Sequence, residues 1–212
     1  MFTPRLFAPL AAAATALALS ACATSPYTGP VEVTRFVADQ PAGLGQGTIA
    51  LTYPDEVSNQ AARAAFAASV SAELTRLGYT VVNSPAGAAQ TAAVRTSRTP
   101  ITSTVDDRRG GPVSVGVGGQ TGGFGSGVGM GVGINLGGGR EGPAAVTQLE
   151  VRIARADGTT LWEGRSQIAT GVKSPYSQVN TSAGALAAAL FTDFPGGNGE
   201  TVTIDVKKLQ GN

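Results

Sequence analysis

Apolar and polar residues alternate from Val146 to Arg155 and again from Thr159 to Ile168. That period of two marks strands with one buried face. Asp157-Gly158 between them is a strong signal for a two-residue hairpin turn. Counting outward from the turn sets Ile153 opposite Trp162 and Val151 opposite Gly164 on the apolar face. On the other face Arg152 meets Glu163, and Glu150 meets Arg165. Two opposite-charge pairs fall in the register that the turn dictates, each contributing about 0.2–1 kcal/mol. The pattern predicts an antiparallel hairpin with Trp162 anchoring a core.

A period of 3.6 appears between Ser58 and Leu77, where Phe66, Val70, Leu74 and Leu77 form one stripe among helix-favouring alanines. Glu73 and Arg76 flank it as an i, i+3 pair of opposite charge, and Gly78 is the expected stop. A second helix is predicted from Ser182 to Asp193, capped by Asn180 or Thr181, with Ala183, Leu186 or Ala187, Leu190 and Phe194 as its buried stripe. Further strands are predicted at Val31 to Phe36, Thr48 to Tyr53, Tyr79 to Val82 and Thr201 to Val206. Residues 91–105 read as extended, with Pro100 at an edge or bend.

Between Pro112 and Leu136 valines, Met130, Ile134 and Leu136 alternate with glycines. Residues 110–142 hold 16 of the 30 glycines of the chain. Two strands joined by Gly119–Gly123, each with one apolar and one bare face, fit this pattern. Such a hairpin loses much entropy on ordering and is loosely specified in register. Three readings stand side by side: a hairpin extending the domain's own sheet, a Gly-rich loop, and an arm that pairs with another protomer or enters the bilayer. The element order predicts an α+β two-layer sandwich, a mostly antiparallel sheet with two helices on one face and a Gly-rich hairpin insertion at 110–142.

The N-terminus carries a different message. Arg5 precedes an Ala- and Leu-rich run from Leu6 to Leu19, shorter than the roughly 20 residues a membrane-spanning helix needs. The run ends in Leu19-Ser20-Ala21-Cys22, which resembles the lipobox of bacterial lipoproteins. The resemblance implies lipidation of Cys22 and cleavage before it, and Ala23 in place of an Asp favours the outer membrane, lipid-anchored on the periplasmic side. An ordinary signal peptide cut nearby, for example after Ala23, is the other reading. The organisation is then residues 1–21 as signal peptide, 22–30 as lipidated tether and 31–212 as a single domain. Cys22 is the only cysteine, so lipid on its sulfur leaves the folded part without a thiol.

Losing Arg5 leaves 14 basic side chains against the 14 acidic ones. That balance gives no electrostatic reason to bind nucleic acid or an anionic membrane. The chain has no histidine, which removes Ser-His-Asp and Cys-His nucleophiles and the commonest zinc ligand. Gly137 to Gly142 matches G-x-G-x-x-G, but Pro143 and a strand follow where a helix would have to begin. Gly196 to Thr201 lacks the lysine of a phosphate loop. Asp106 and Asp107 read as solvated loop charge rather than a cation site. No catalytic residue, cofactor or metal is expected; the expected partners are the membrane, through lipid on Cys22, and an envelope protein.

Several stretches together resemble the bacterial lipoprotein family called domain of unknown function 4136. They are Gly47-Thr48-Ile49-Ala50-Leu51, the helix end Glu73-Leu74-Thr75-Arg76-Leu77-Gly78-Tyr79, the hairpin from Leu149 to Gly164, and Leu190-Phe191-Thr192-Asp193-Phe194-Pro195. The resemblance implies a periplasmic lipoprotein and carries no functional residue beyond the acylated cysteine. Two functions are expected to compete: a non-catalytic envelope binding or assembly component, and an oligomeric membrane-associated component whose Gly-rich arms pair between protomers.

Overall fold

The computed structural model describes residues 26–54, 59–101, 114–115, 134–135 and 143–210. The long hairpin is its spine: β7 (Ala145–Arg155) and β8 (Thr160–Thr170) pair antiparallel, with Ile153 opposite Trp162, Val151 opposite Gly164, Arg152 opposite Glu163 and Glu150 opposite Arg165. Its tip is not a two-residue turn. Gly158 N donates to Arg155 O (2.9 Å) and Arg155 N to Thr159 O (2.9 Å), so Ala156, Asp157 and Gly158 form a three-residue loop, with Gly158 at φ 87°. The ladder shifts by one residue between Ile153 and Ala154, leaving Leu161 as an extra residue in β8. The longer turn and the bulge cancel, so the register below them is the one that the charges require.

β1 (Thr28–Val37) lies antiparallel beside β8, and β9 (Thr201–Ile204) beside β1. On the other flank β4 (Gln90–Pro100) pairs antiparallel with β7. β2 (Thr48–Thr52) runs parallel both to β4 and to β3 (Thr80–Val82). The seven-stranded order is β3-β2-β4-β7-β8-β1-β9. The sheet is therefore mixed, antiparallel except around β2, and the fold is the α+β two-layer sandwich that the element order predicts. β1 starts at Thr28, inside the stretch read as tether, and Gly29-Pro30 forms a bulge between its paired residues. β5 (Ser114–Val115) and β6 (Ile134–Asn135) pair antiparallel as a separate two-stranded sheet, and the rest of the Gly-rich stretch lies outside the described residues.

Helix α1 (Gln60–Arg76) buries Phe66, Val70 and Leu74 of the predicted stripe, while Leu77, its fourth member, is the half-buried C-cap. Asn59 caps it, its side-chain oxygen accepting from Ala62 N at 3.0 Å. At the other end Tyr79 N donates to Leu74 O and Gly78 N to Thr75 O, closing the last turn around Gly78 at φ 104°. Arg76 and Glu73 form their ion pair at 2.7 Å. Helix α2 (Val179–Phe191) begins three residues before its predicted start. A 3₁₀ turn at Pro175–Ser177 delivers the chain to Gln178, which occupies the cap position without a side-chain bond; neither Asn180 nor Thr181 caps. It ends at Phe191 because Thr192 turns extended and Asp193 takes φ 53°. Ser182, Ala183, Ala185, Leu186, Ala187, Ala189, Leu190 and Phe191 are all buried, a wider face than one stripe. The helix is enclosed by the sheet and by α1 together, and its small side chains allow both to approach.

The centre of the core is aromatic. Trp162 is fully buried, stacked on Phe191 (centroids 5.5 Å apart, 19° between planes) and tilted against Phe194 at 5.2 Å. Its Nε1–H donates to Pro195 O at 2.9 Å, so the indole's one polar atom is satisfied by the chain leaving α2. Trp162 covers Gly164, the next residue on the same face. A Cβ on Gly164 would lie 2.7 Å from Trp162 Cζ2 and 2.8 Å from Leu190 Cδ1, contacts that no core tolerates unshifted.

Trp162→Ala is expected to destabilise the fold by roughly 3–5 kcal/mol, the range for emptying a large aromatic site. Gly164→Val should destabilise by at least about 1–3 kcal/mol through overpacking. Denaturant unfolding of both variants checks this; a loss under ~1 kcal/mol in Trp162→Ala would show that the indole does not anchor the core, and one in Gly164→Val that the indole has room to move. Replacing residues 102–142 by a short Gly-Ser linker should leave the fold standing. Ile101 N already donates to Ala144 O at 2.8 Å, so the two ends of the segment meet without it. Stability should change by no more than ~2 kcal/mol, since closure entropy varies slowly with loop length; loss of cooperative unfolding would make the segment part of the core.

Candidate functional site

The helices cover one face of the sheet only. Alternation turns the other residues of each strand outward, and the register sets them in rows. Arg95, Glu150, Arg165 and Thr34 lie side by side across β4, β7, β8 and β1. The next row holds Ala93, Arg152, Glu163 and Phe36, and the row on the other side Ser97, Gln148, Gln167 and Glu32. Charge alternates along and between these rows. Arg165 Nη2 lies 2.7 Å from Glu150 Oε1, which also accepts from Gln148 Nε2 at 2.7 Å. Arg152 Nε lies 3.4 Å from Glu163 Oε1 and donates to Thr160 Oγ1 at 2.7 Å. Gln167 Nε2 donates to Glu32 Oε2 at 2.8 Å. Phe36, half-exposed, stands at the end of its row.

Partly exposed ion pairs of this kind contribute between zero and about 1 kcal/mol each. Their stronger effect is on register: a slip of one residue would turn the core residues outward, and a slip of two would set Arg152 opposite Arg165 or Glu150 opposite Glu163. The result is a broad, flat, polar surface whose charges are largely matched within it. Partial burial pushes the Glu163 carboxyl above the ordinary glutamate range, with Glu150 adding to the shift and Arg152 opposing it.

Two shallow depressions lie along β1 and β9, the first on the charged face and the second on the helical side. One, of about 210 Å³, lies between Tyr27, Gly29, Glu32, Gln167 and Thr203. The other, of about 420 Å³, lies between Arg35, Asp193, Gly196, Thr203 and Lys208. Arg35 is the one charged side chain on the inward face of β1, in line with Val31 and Val33, and it is buried. Its Nε donates to Leu190 O and its Nη2 to Ala189 O, both at 2.9 Å. A cation there satisfies the last carbonyls of α2 and lies at the negative end of the helix. Desolvation lowers the pKa of the guanidinium and Asp193 opposes the shift. The charge is thus committed to the fold. The alternation of β1 alone could have flagged it, since an arginine in a buried parity demands a partner.

Cys22 and its lipobox lie outside the described residues, as do Asp106, Asp107 and Gly137–Gly142. Gly196–Thr201 is the loop between α2 and β9. It clamps the end of β1 through Gly199 N donating to Arg35 O (2.7 Å) and Val37 N donating to Asn198 Oδ1 (3.2 Å). Among the described residues no three acidic, histidine or cysteine side chains gather as a metal site, and no helix is long and apolar enough to cross a membrane.

No protein-family model matches the sequence, and no curated protein matches it. The fold is similar to that of a PDZ domain protein from Parabacteroides distasonis, with a TM-score of 0.51 at 14% identity. The alignment covers 90% of this chain and 42% of that one, so the chain spans less than half of its neighbour's length. Two structures of the PelC dodecamer from Paraburkholderia phytofirmans align with TM-scores of 0.39 and 0.40 at 12% and 11% identity, each over 76% of this chain and 95% of the other. At such identities the first likeness is one of fold.

The Glu163 carboxyl should titrate above Glu side chains in short peptides, and Arg152→Ala should raise its midpoint further by removing the opposing charge. Because the folded-state pKa is the raised one, the folded chain binds this proton more readily than the unfolded chain. The contribution of Glu163 to stability therefore declines as pH rises through that midpoint. Carboxyl-carbon NMR titration of both proteins checks the order; a lower midpoint in Arg152→Ala would refute it.

Proposed function

We propose that the protein is a non-catalytic binding or assembly component of the bacterial cell envelope, lipid-anchored through Cys22 on the periplasmic side of the outer membrane. In this reading it belongs with the lipoproteins of domain of unknown function 4136. The observation that carries the binding role is the face of the seven-stranded sheet that, among the described residues, neither helix covers. The charged rows of this face form a wide, level area with a fixed pattern, suited to a protein partner with a complementary pattern rather than to a small molecule. Matched charges of this kind select a partner more than they drive affinity, because a misaligned partner meets like charge.

Two experiments test this reading. Cys22→Ser should leave the precursor uncleaved at this site and unlabelled by radioactive palmitate, whereas the wild type takes up label; acylation of the variant would remove the anchor from the proposal. A photo-crosslinking side chain at Gln148, on the open face, should yield one discrete heavier adduct in membranes. The same probe at Ala64, exposed on α1, should not. Equal adducts from both positions, or none from Gln148, would remove the open face as the contact. An adduct made only of a second copy of this chain would favour assembly over a foreign partner.

A further inference from the structure

One end of the sheet has a composition of its own. The register sets Thr28, Thr170, Ala145 and Pro100 in a single row across β1, β8, β7 and β4. Thr28 opens β1, Thr170 closes β8, Ala145 opens β7 and Pro100 closes β4, so this row is a rim. The segment from Cys22 arrives here, and residues 102–142 leave from and return to the same rim. Tyr27 and Ile101, the residues at these two exits, both pack on Val146 and Ala169 in a small apolar cluster separate from the main core. Tyr27 O accepts from Gly171 N at 2.9 Å, and Ala144 N donates to Thr170 O at 2.8 Å.

The loop that follows β8 on this rim is tightly held. Ser174 N donates to Gly171 O at 3.1 Å, Ser174 Oγ lies 2.6 Å from Thr28 Oγ1, and Ser177 Oγ donates to Val172 O at 3.1 Å. Between these anchors Val172 is thrust outward, 79% exposed, well beyond Phe36 at 47% and Val202 at 38%.

We propose that this rim rests on the membrane, with Val172 seated at the headgroup level of the same leaflet that holds the lipid of Cys22. The inference rests on acylation of Cys22. Five residue steps separate Cys22 from Tyr27, a reach of at most about 18 Å. The headgroup layer itself occupies roughly 5–8 Å on each side of the hydrocarbon. The rim is therefore held within roughly 10–13 Å of the lipid surface, close enough to rest on it. The hairpin tip at Asp157 lies at the far end of 11-residue strands, about 35 Å away at ~3.3 Å per residue. The partner is phospholipid, and the open sheet face stands roughly upright from it.

The lone cysteine makes the test direct. If Cys22 carries lipid on its sulfur, Val172→Cys and Asp157→Cys each possess one free thiol for an environment-sensitive fluorophore. Each acylated protein is reconstituted into phosphatidylethanolamine–phosphatidylglycerol vesicles containing a shallow nitroxide-labelled lipid. The probe at 172 should be quenched several-fold more than the probe at 157, with a blue-shifted emission. Equal quenching, or stronger quenching at 157, would overturn the orientation while leaving the anchor intact. Two free thiols per chain in Val172→Cys would show Cys22 to be unmodified and would overturn both the anchor and the orientation.

Discussion

The end of α2 and the chain that leaves it are positioned by the contact of one indole with one glycine. Trp162 lies over Gly164, and only the missing side chain lets it lie flat enough to stack on Phe191 and meet Phe194. That contact fixes the depth of α2 above the sheet. The bond from Trp162 Nε1 to Pro195 O then fixes where the chain goes on leaving the helix, and so where β9 starts. Arg35 completes the same corner from below, donating to Leu190 O and Ala189 O, two of the carbonyls in the last turn of α2.

The two faces of the sheet divide the physical labour. The inner face supplies burial, through Val31, Val33, Leu149, Val151, Ile153 and Ile168, and is indifferent to which apolar neighbour it meets. The outer face supplies uniqueness: its ladder of Arg95, Glu150 and Arg165, and of Arg152 and Glu163, penalises every register but one. A sheet built only for burial could slide by two residues and keep its alternation. This one could not do so without setting charges against the wrong neighbours.

The parts legible in the sequence were those governed by local periodicity and by pairing across one turn. The stripe of α1, its stop at Gly78 and the four cross-strand pairs of the hairpin fall here. The α2 boundaries were harder to read because its buried residues are mostly alanine, which looks alike on every face. Its start is decided by the Pro175 turn, and its cap has no polar side chain to advertise it. The parallel pairing of β2 with β3 and β4 is a tertiary choice with no turn between the partners to announce it. Gln90 was also silent. Buried at the start of β4, it accepts from Tyr79 OH and donates to Gly43 O and Gln46 O, holding a loop more than forty residues away. As for the candidate surface, the charges of its central rows were readable from the hairpin, but their exposure was not. Nothing local says which face the helices will choose.

The tip of the hairpin shows how such a fold absorbs change in length. Its loop is one residue longer than the tightest turn, and the bulge at Leu161 takes up that residue before the charged rows begin. Loop and bulge thus act as a frameshift and its suppressor on the same strand. Either alone would rotate Trp162 to the outside and exchange the two faces of β8, whereas together they are invisible from Ile153 downward. A chain of the same length that closed on the tighter Asp157-Gly158 turn would have to lose the bulge as well. The two positions are bound to change as a pair even though their side chains need never touch.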